Sequence, residues 1–121
     1  MKHAISWFEI PVTNMERAII FYRTILGTDF QRMDVEGMPY AAFATEPEGI
    51  TGALAQGEGF VPSTQGTVVY LTVEDVNEPA AKVEAAGGQV LVPKTAIGGD
   101  MGFFALVRDT EGNKVGLYSS H

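Results

Sequence analysis

The sequence predicts an α+β fold made of two pseudo-symmetric βαβββ modules, and three observations predict it. An apolar, β-prone run followed by an amphipathic helical pattern occurs twice, from Ile5 and from Val68. Matching positions recur at one spacing: Val12 and Val73, Asn14 and Asp75, and Gly27 and Gly88 each lie 61 residues apart. Further along, Glu48-Gly49 is echoed by Glu111-Gly112 at a spacing of 63, each ahead of a strand-like run. A repeat this long and present only twice is not a solenoid. It describes a module written twice.

The elements follow in order. Ile5–Val12 (ISWFEIPV) is apolar and β-prone apart from Glu9, and reads as a mostly buried strand. Thr13 and Asn14 are good helix caps, and Glu16 stands three residues after Thr13, as in a capping box. Met15, Ala18, Ile19, Tyr22, Ile25 and Leu26 then form one apolar stripe, and Gly27 stops the helix. In the second copy, Val68–Val73 (VVYLTV) is the strand, and Val76, Ala80, Val83 and Ala86 form the helical stripe. Pro79 fits only near that helix's start, so Asp75 or Asn77 is its expected cap and Gly88 its expected end. About three short strands complete each copy. The Gly-, Pro- and Ser-bearing loop after Gln56 divides them, giving one domain over 1–121 with module one at 1–56, a linker at 57–66 and module two at 67–121.

Composition narrows the partners. Fifteen acidic residues against eight basic ones give a net charge of −7, without a Lys/Arg cluster, so no nucleic-acid partner is expected. The chain has no cysteine, which removes disulfides, thiol catalysis and thiolate metal sites. No apolar run approaches membrane-span length, so no membrane partner is expected and the expected location is cytoplasmic. The loop Lys94–Phe104 is glycine-rich, but a strand pattern follows it, whereas a phosphate loop needs a helix N-terminus.

Three segments, FEIPVTNMERAIIFYRTILG, YLTVEDVNEPAAKVEAAGGQVLVPKT and GFFALVRDTEGNKVGLYSS, carry a resemblance that covers nearly the whole chain. Together they resemble the vicinal oxygen chelate superfamily, which includes glyoxalase I, bleomycin-resistance proteins and extradiol dioxygenases. Within it they are most similar to the single-domain bacterial proteins called glyoxalase-related. The resemblance implies two curved sheets around a cavity and a homodimer. Whether the modules pair within a chain or between chains stays open. It also implies four metal-ligand positions, on the first and last strands of each module. In this sequence those positions fall on Trp7, Val68 and Gly116, with Ala53, or Gly52 under a one-residue slip, as the fourth. None of these side chains can bind a divalent ion, so the expectation is no metal and no cofactor.

Strand alternation then assigns the expected ligand-binding set: Trp7 and Glu9 on the first strand, Val68, Tyr70 and Thr72 on its counterpart, and Lys114, Gly116 and Tyr118 on the last. Trp7 and Tyr70 offer flat surfaces for a planar ligand, and Trp7 equally well fills the room of an absent metal. Gly116 admits a ligand close to the backbone, or makes room for Trp7 opposite. Glu9 reads either as an acid/base group in an apolar strand or as a carboxylate paired with Lys114 or Arg108. The expected function is binding of a small, planar ligand. The alternative is a lyase or isomerase that uses Glu9 in place of a metal.

Overall fold

A computed structural model describes all residues, Met1–His121. Each module is a four-stranded sheet with one helical segment. Module one contains β1 (Glu9–Val12), α1 (Met15–Leu26), β2 (Phe30–Val35), β3 (Met38–Phe43) and β4 (Ala53–Gln56). Module two contains β5 (Tyr70–Thr72), α2 (Asn77–Ala80), β6 (Gln89–Ala96), β7 (Phe103–Arg108) and β8 (Lys114–Ser119). The strand orders are β1-β4-β3-β2 and β5-β8-β7-β6, so the first strand of each module is an edge strand lying parallel to the last.

The registers confirm the internal repeat residue by residue. Glu9 pairs with Ala53 as Tyr70 pairs with Gly116, and Ile10 pairs with Leu54 as Leu71 pairs with Leu117. This fixes Ala53 as the counterpart of Gly116 and removes the alternative at Gly52.

One face of each sheet is covered by its helical segment and forms the core. Ile10, Val12, Ala41, Phe43 and Leu54 are buried there in module one, and Leu71, Ala105, Val107, Val115 and Leu117 in module two. These residues belong to one cluster that runs through both modules. Helix α1 buries its expected stripe, with Leu26 at the margin, and also buries Phe21, which lies outside that stripe. The reason is that α1 meets module two as well as its own sheet: a Cβ on Gly88 would lie 2.8 Å from the Phe21 ring.

Three expectations need correction. Regular strand pairing covers Glu9–Val12 and Tyr70–Thr72 only, so Trp7 and Val68 lie just outside it. The second helix is regular only over Asn77–Ala80; beyond it, turns continue with mixed three- and four-residue hydrogen bonds as far as Gly87. Pro79 supplies no N–H in the first turn, and no side chain caps the segment. Asp75 instead accepts from the Asn77 N–H at 2.9 Å. The apolar stripe still docks, with Val76 and Val83 fully buried, and Gly87 rather than Gly88 takes the left-handed turn at φ 100°.

The third correction concerns the start of α1. Asn14 is the cap and accepts from the Arg17 N–H, but Glu16 does not reach back to Thr13. It pairs with Arg32 at 2.6 Å. Its capping role is taken by Glu111 of module two, whose Oε1 accepts from the N–H groups of Thr13 and Asn14 at 2.9 Å each. Arg17 Nε donates to Glu111 Oε2 at 2.7 Å. Beside it, Tyr22 Oη donates to buried Asp109 at 2.5 Å, and Asn113 Nδ2 donates to the Pro11 carbonyl at 2.7 Å. The turn Asp109–Asn113 therefore joins module two to module one. No buried side-chain nitrogen or oxygen is left without a partner. No helix is long and apolar enough to cross a membrane.

Burial pushes the Glu111 carboxyl up, but Arg17, the N–H groups of Asn14 and Thr13 and the Thr110 hydroxyl outweigh it and bring it down from 4.5 to about 2. A carboxylate with a depressed folded-state pKa stabilises fully above its unfolded value, and that stabilisation is lost as pH falls. Glu111→Gln is expected to lower stability at pH 7 by about 1–3 kcal/mol, the cost of leaving buried donors badly paired. It should also flatten the loss of stability between pH 4.5 and 2. Urea unfolding across that range checks both, and parallel wild-type and variant curves would count against the cap.

Candidate functional site

The second face of each sheet carries no helix, and the registers put Glu9, Tyr70, Thr72, Lys114, Gly116 and Tyr118 of the expected set there, with Trp7 and Val68 just outside the paired strands. In module one, Glu9, Tyr40, Ala42, Ala53 and Ala55 share this open face. In module two it holds Tyr70, Thr72, Phe104, Leu106, Gly116 and Tyr118, with Lys114 at one end.

The four positions implied for a metal carry no donor for one. Trp7, Ala53, Val68 and Gly116 offer neither imidazole nor carboxylate, and nowhere do three His, Cys, Asp or Glu side chains gather in a metal-binding group. The residues present do not fit the superfamily's divalent ion. At Gly116 the reason is steric as well as chemical. A Cβ there would clash with Cδ2 and Cε2 of Tyr70, so the tyrosine ring lies on the glycine and fills the place of a side chain. Tyr70 also meets Phe104 edge to face, with centroids 6.5 Å apart. The glycine thus makes room for a neighbour, and that neighbour is Tyr70 rather than Trp7.

Trp7 has a different partner. Its Nε1 donates to Tyr40 Oη at 2.7 Å, and Tyr40 Oη donates to Glu9 Oε2 at 2.7 Å. Glu9 is thereby exposed and held by a tyrosine. The expected ion pair to Lys114 or Arg108 is not formed: the chain's ion pairs are Arg17–Glu111, Arg32–Glu16 and Lys94–Asp75. Glu9 and Lys114 instead line a crevice of about 40 Å³ between the modules. Burial, and then the hydrogen bond to Glu9, push the Tyr40 hydroxyl above its usual range. Tyr40 was not singled out in the sequence. It stands on a middle strand, and only the pairing of Tyr40 with Ala55 reveals that it shares a face with Glu9.

Tyr118 Oη donates to the Met101 carbonyl at 2.8 Å, so its hydroxyl secures the β6–β7 loop while its ring stays on the open face. Val68, Tyr70 and Thr72 reach another feature. Along the outer edge of β5 runs a cleft of about 780 Å³, walled by Phe8, Leu26 and Phe43 from module one and by Val68–Asp75 from module two. Glu9, Trp7, Gly116 and Tyr118 do not line it. The expected set therefore divides into a Trp7–Tyr40–Glu9 group, a Tyr70–Gly116 group with Phe104, and a β5 edge that opens on the cleft.

This architecture agrees with what comparisons with known proteins find. The model of the Glyoxalase/Bleomycin resistance protein/Dioxygenase superfamily matches residues 4–117, and the chain belongs to that superfamily. A glyoxylase-like domain-containing protein of Didymella fabae is 31% identical over 114 residues, covering 90% of this chain and 88% of that protein. CFP32 of Mycobacterium bovis, provisionally named a glyoxylase, is 29% identical, and the match covers 96% of this chain but 45% of CFP32. Among solved structures, an E144Q mutant of glyoxalase I from Zea mays superposes with a TM-score of 0.74 at 25% identity, over 94% of this chain and 46% of the maize protein. A glyoxylase/bleomycin resistance protein/dioxygenase domain from Frankia sp. EAN1pec gives 0.74 at 16% identity over 98% of both chains, a likeness of fold. The chain thus spans under half the length of both the mycobacterial relative and the maize enzyme.

The contact between Gly116 and Tyr70 makes a double-mutant prediction. Gly116→Ala should push the Tyr70 ring off the strand and lower stability by about 1–3 kcal/mol, the usual range for overpacking. In the Tyr70→Ala background the same change should cost at least 0.5 kcal/mol less, because the two residues share one space. Chemical denaturation of the four proteins measures this, and strictly additive costs would show that the ring does not rest on the glycine.

Proposed function

We propose that the protein binds a small, planar aromatic molecule on the open faces of its sheets, and does so without a divalent ion. The observation that carries this reading is the Tyr70 ring lying on Gly116. An aromatic surface occupies the place where metal-dependent relatives are expected to carry a carboxylate. Trp7 stands at a second such place, 42% exposed, and Tyr70 is 50% exposed. Exposed aromatic rings on a rigid sheet recognise flat apolar molecules by offset or edge stacking, worth about 0.5–1.5 kcal/mol per ring beyond burial.

Two copies of the chain belong to the same reading. Strand β5 leaves its outer edge unpaired, whereas on β1 the Pro11 carbonyl is taken by Asn113, and an open edge is a template for pairing with another strand. A dimer joined there would set an open face of one copy beside that of the other. A second reading, a lyase or isomerase with Glu9 as acid or base, draws on the hydrogen bond from Tyr40 to Glu9. It predicts turnover that Glu9→Gln abolishes.

The tryptophan is the only one in the chain, so its emission reports on a ligand that reaches the Trp7–Tyr40–Glu9 group. A panel of soluble aromatic compounds should change Trp7 fluorescence saturably, and Tyr70→Ala should weaken the best of them about tenfold, or ~1.4 kcal/mol. Calorimetric titration with Ni²⁺ and Zn²⁺ should give no stoichiometric binding. Tight one-to-one binding of either ion at the open faces would contradict the proposal, as would an unresponsive tryptophan across the whole panel.

A further inference from the structure

We infer that the ligand carries a substituted ammonium group, and that Trp7, Tyr40 and Glu9 form its seat. The inference rests on the reading that the open faces bind a small aromatic molecule, and adds the charge of that molecule and the place of that charge.

The order of the hydrogen bonds fixes the chemistry of the seat. An indole N–H can only donate. Tyr40 Oη therefore accepts from Trp7, and its own proton points to Glu9 Oε2, 2.7 Å away. The carboxylate is the acceptor of this bond and the tyrosine its donor. The second oxygen, Oε1, has no partner within the protein, and Glu9 takes part in no ion pair. One exposed carboxylate oxygen thus stands beside two aromatic rings whose orientations are tied to it.

Beneath these groups the face is built from small side chains. Ala53 and Ala55 of β4 lie next to Glu9 and Tyr40 in register, and Ala42 of β3 continues the row. All three are buried and none projects far above the sheet. The result is a layer of small side chains already covered by their neighbours, with Trp7, Tyr40 and Glu9 projecting above it.

A carboxylate with aromatic rings beside it is complementary to an organic cation, because the anion and the negative face of a ring attract the same charge. The scarcity of acceptors chooses among cations. A primary ammonium would have to leave two of its three N–H donors to water, and a divalent metal needs several oxygen or nitrogen ligands. The seat offers one free carboxylate oxygen. A tertiary or quaternary ammonium, with a diffuse charge and few or no donors, is the cation these groups can satisfy. Lys114 is the charged side chain on the other flank of Glu9, lining the crevice they share without pairing to it. The net charge of −7 adds a long-range attraction for cations.

The test compares benzyltrimethylammonium with its neutral isostere neopentylbenzene, each followed by Trp7 fluorescence and thermal shift. In the wild-type protein the cation is expected to bind at least tenfold more tightly. Glu9→Gln keeps the acceptor for Tyr40 and removes the charge, so it should bring the ratio close to one while the isostere binds as before. Tyr40→Phe should weaken the cation severalfold yet preserve its advantage. Equal wild-type affinities for the pair would overturn the charged seat and leave aromatic binding standing. A cation preference that survives in Glu9→Gln would overturn the assignment to Glu9. Failure of both compounds to bind, together with silence across the aromatic panel, would overturn the seat and the binding reading alike.

Discussion

The arrangement of the two modules depends on one buried carboxylate, that of Glu111. It accepts from backbone N–H groups at the start of α1 and from the Arg17 guanidinium, so one side chain caps a helix and joins the modules. The start of a helix presents orphan donors and partial positive charge, and an anion there is favourable. Supplying the anion from the other module makes the cap of α1 conditional on module docking. Asp109 and Asn113 extend the junction to Tyr22 and Pro11, placing three polar side chains of one turn in the interior. Each has its hydrogen bonds, and a polar network of this kind is specific because it is costly in any other arrangement. The open faces are positioned by it: β1 follows from Pro11 and α1, and β8 begins immediately after Asn113.

Much of this was legible in the sequence because the protein repeats itself. The spacing of 61 between strands and helices and of 63 between terminal turns predicted that Glu9 and Tyr70 occupy equivalent places, as do Ala53 and Gly116, and the observed registers pair them so. What stayed hidden was whatever required a partner from elsewhere in the chain. Thr13 and Glu16 have capping-box spacing, yet the acceptor expected of Glu16 comes from Glu111, 98 positions away from Thr13. Phe21 lies off the expected stripe and is buried by the second module. Tyr40 looks unremarkable in MPYAAF, and only sheet register puts its hydroxyl beside Glu9. The shortened second helix was partly announced by Pro79, although the apolar spacing that suggested a longer helix still serves the core.

The site illustrates the same difference between local pattern and tertiary partner. Sequence reasoning identified Gly116 as an absent side chain but offered two uses for the space. The structure assigns that space to Tyr70 and gives Trp7 a separate role with Tyr40. The fold is shared with relatives named for glyoxalase and for bleomycin resistance, and a fold hosts many chemistries. What distinguishes members is the handful of side chains on the open faces. Here those include exposed rings and one carboxylate.

A pseudo-symmetric scaffold need not make a symmetric site, and this chain departs from symmetry where a ligand would notice. Glu9 and Tyr70 hold matching backbone positions, each opposite a small residue on the last strand of its module. One contributes a charge and the other a ring. Beside Glu9 stand Trp7 and Tyr40, joined to it through hydrogen bonds; beside Tyr70 stands Phe104, in edge-to-face contact. The first face is suited to a localised charge with an apolar surround, the second to a flat apolar body. A molecule bound by both, as proposed above, would have distinct ends, its orientation set by which module each end meets. That polarity needs no metal to define it. It follows from placing a carboxylate in one copy of the repeat and an aromatic ring in the other.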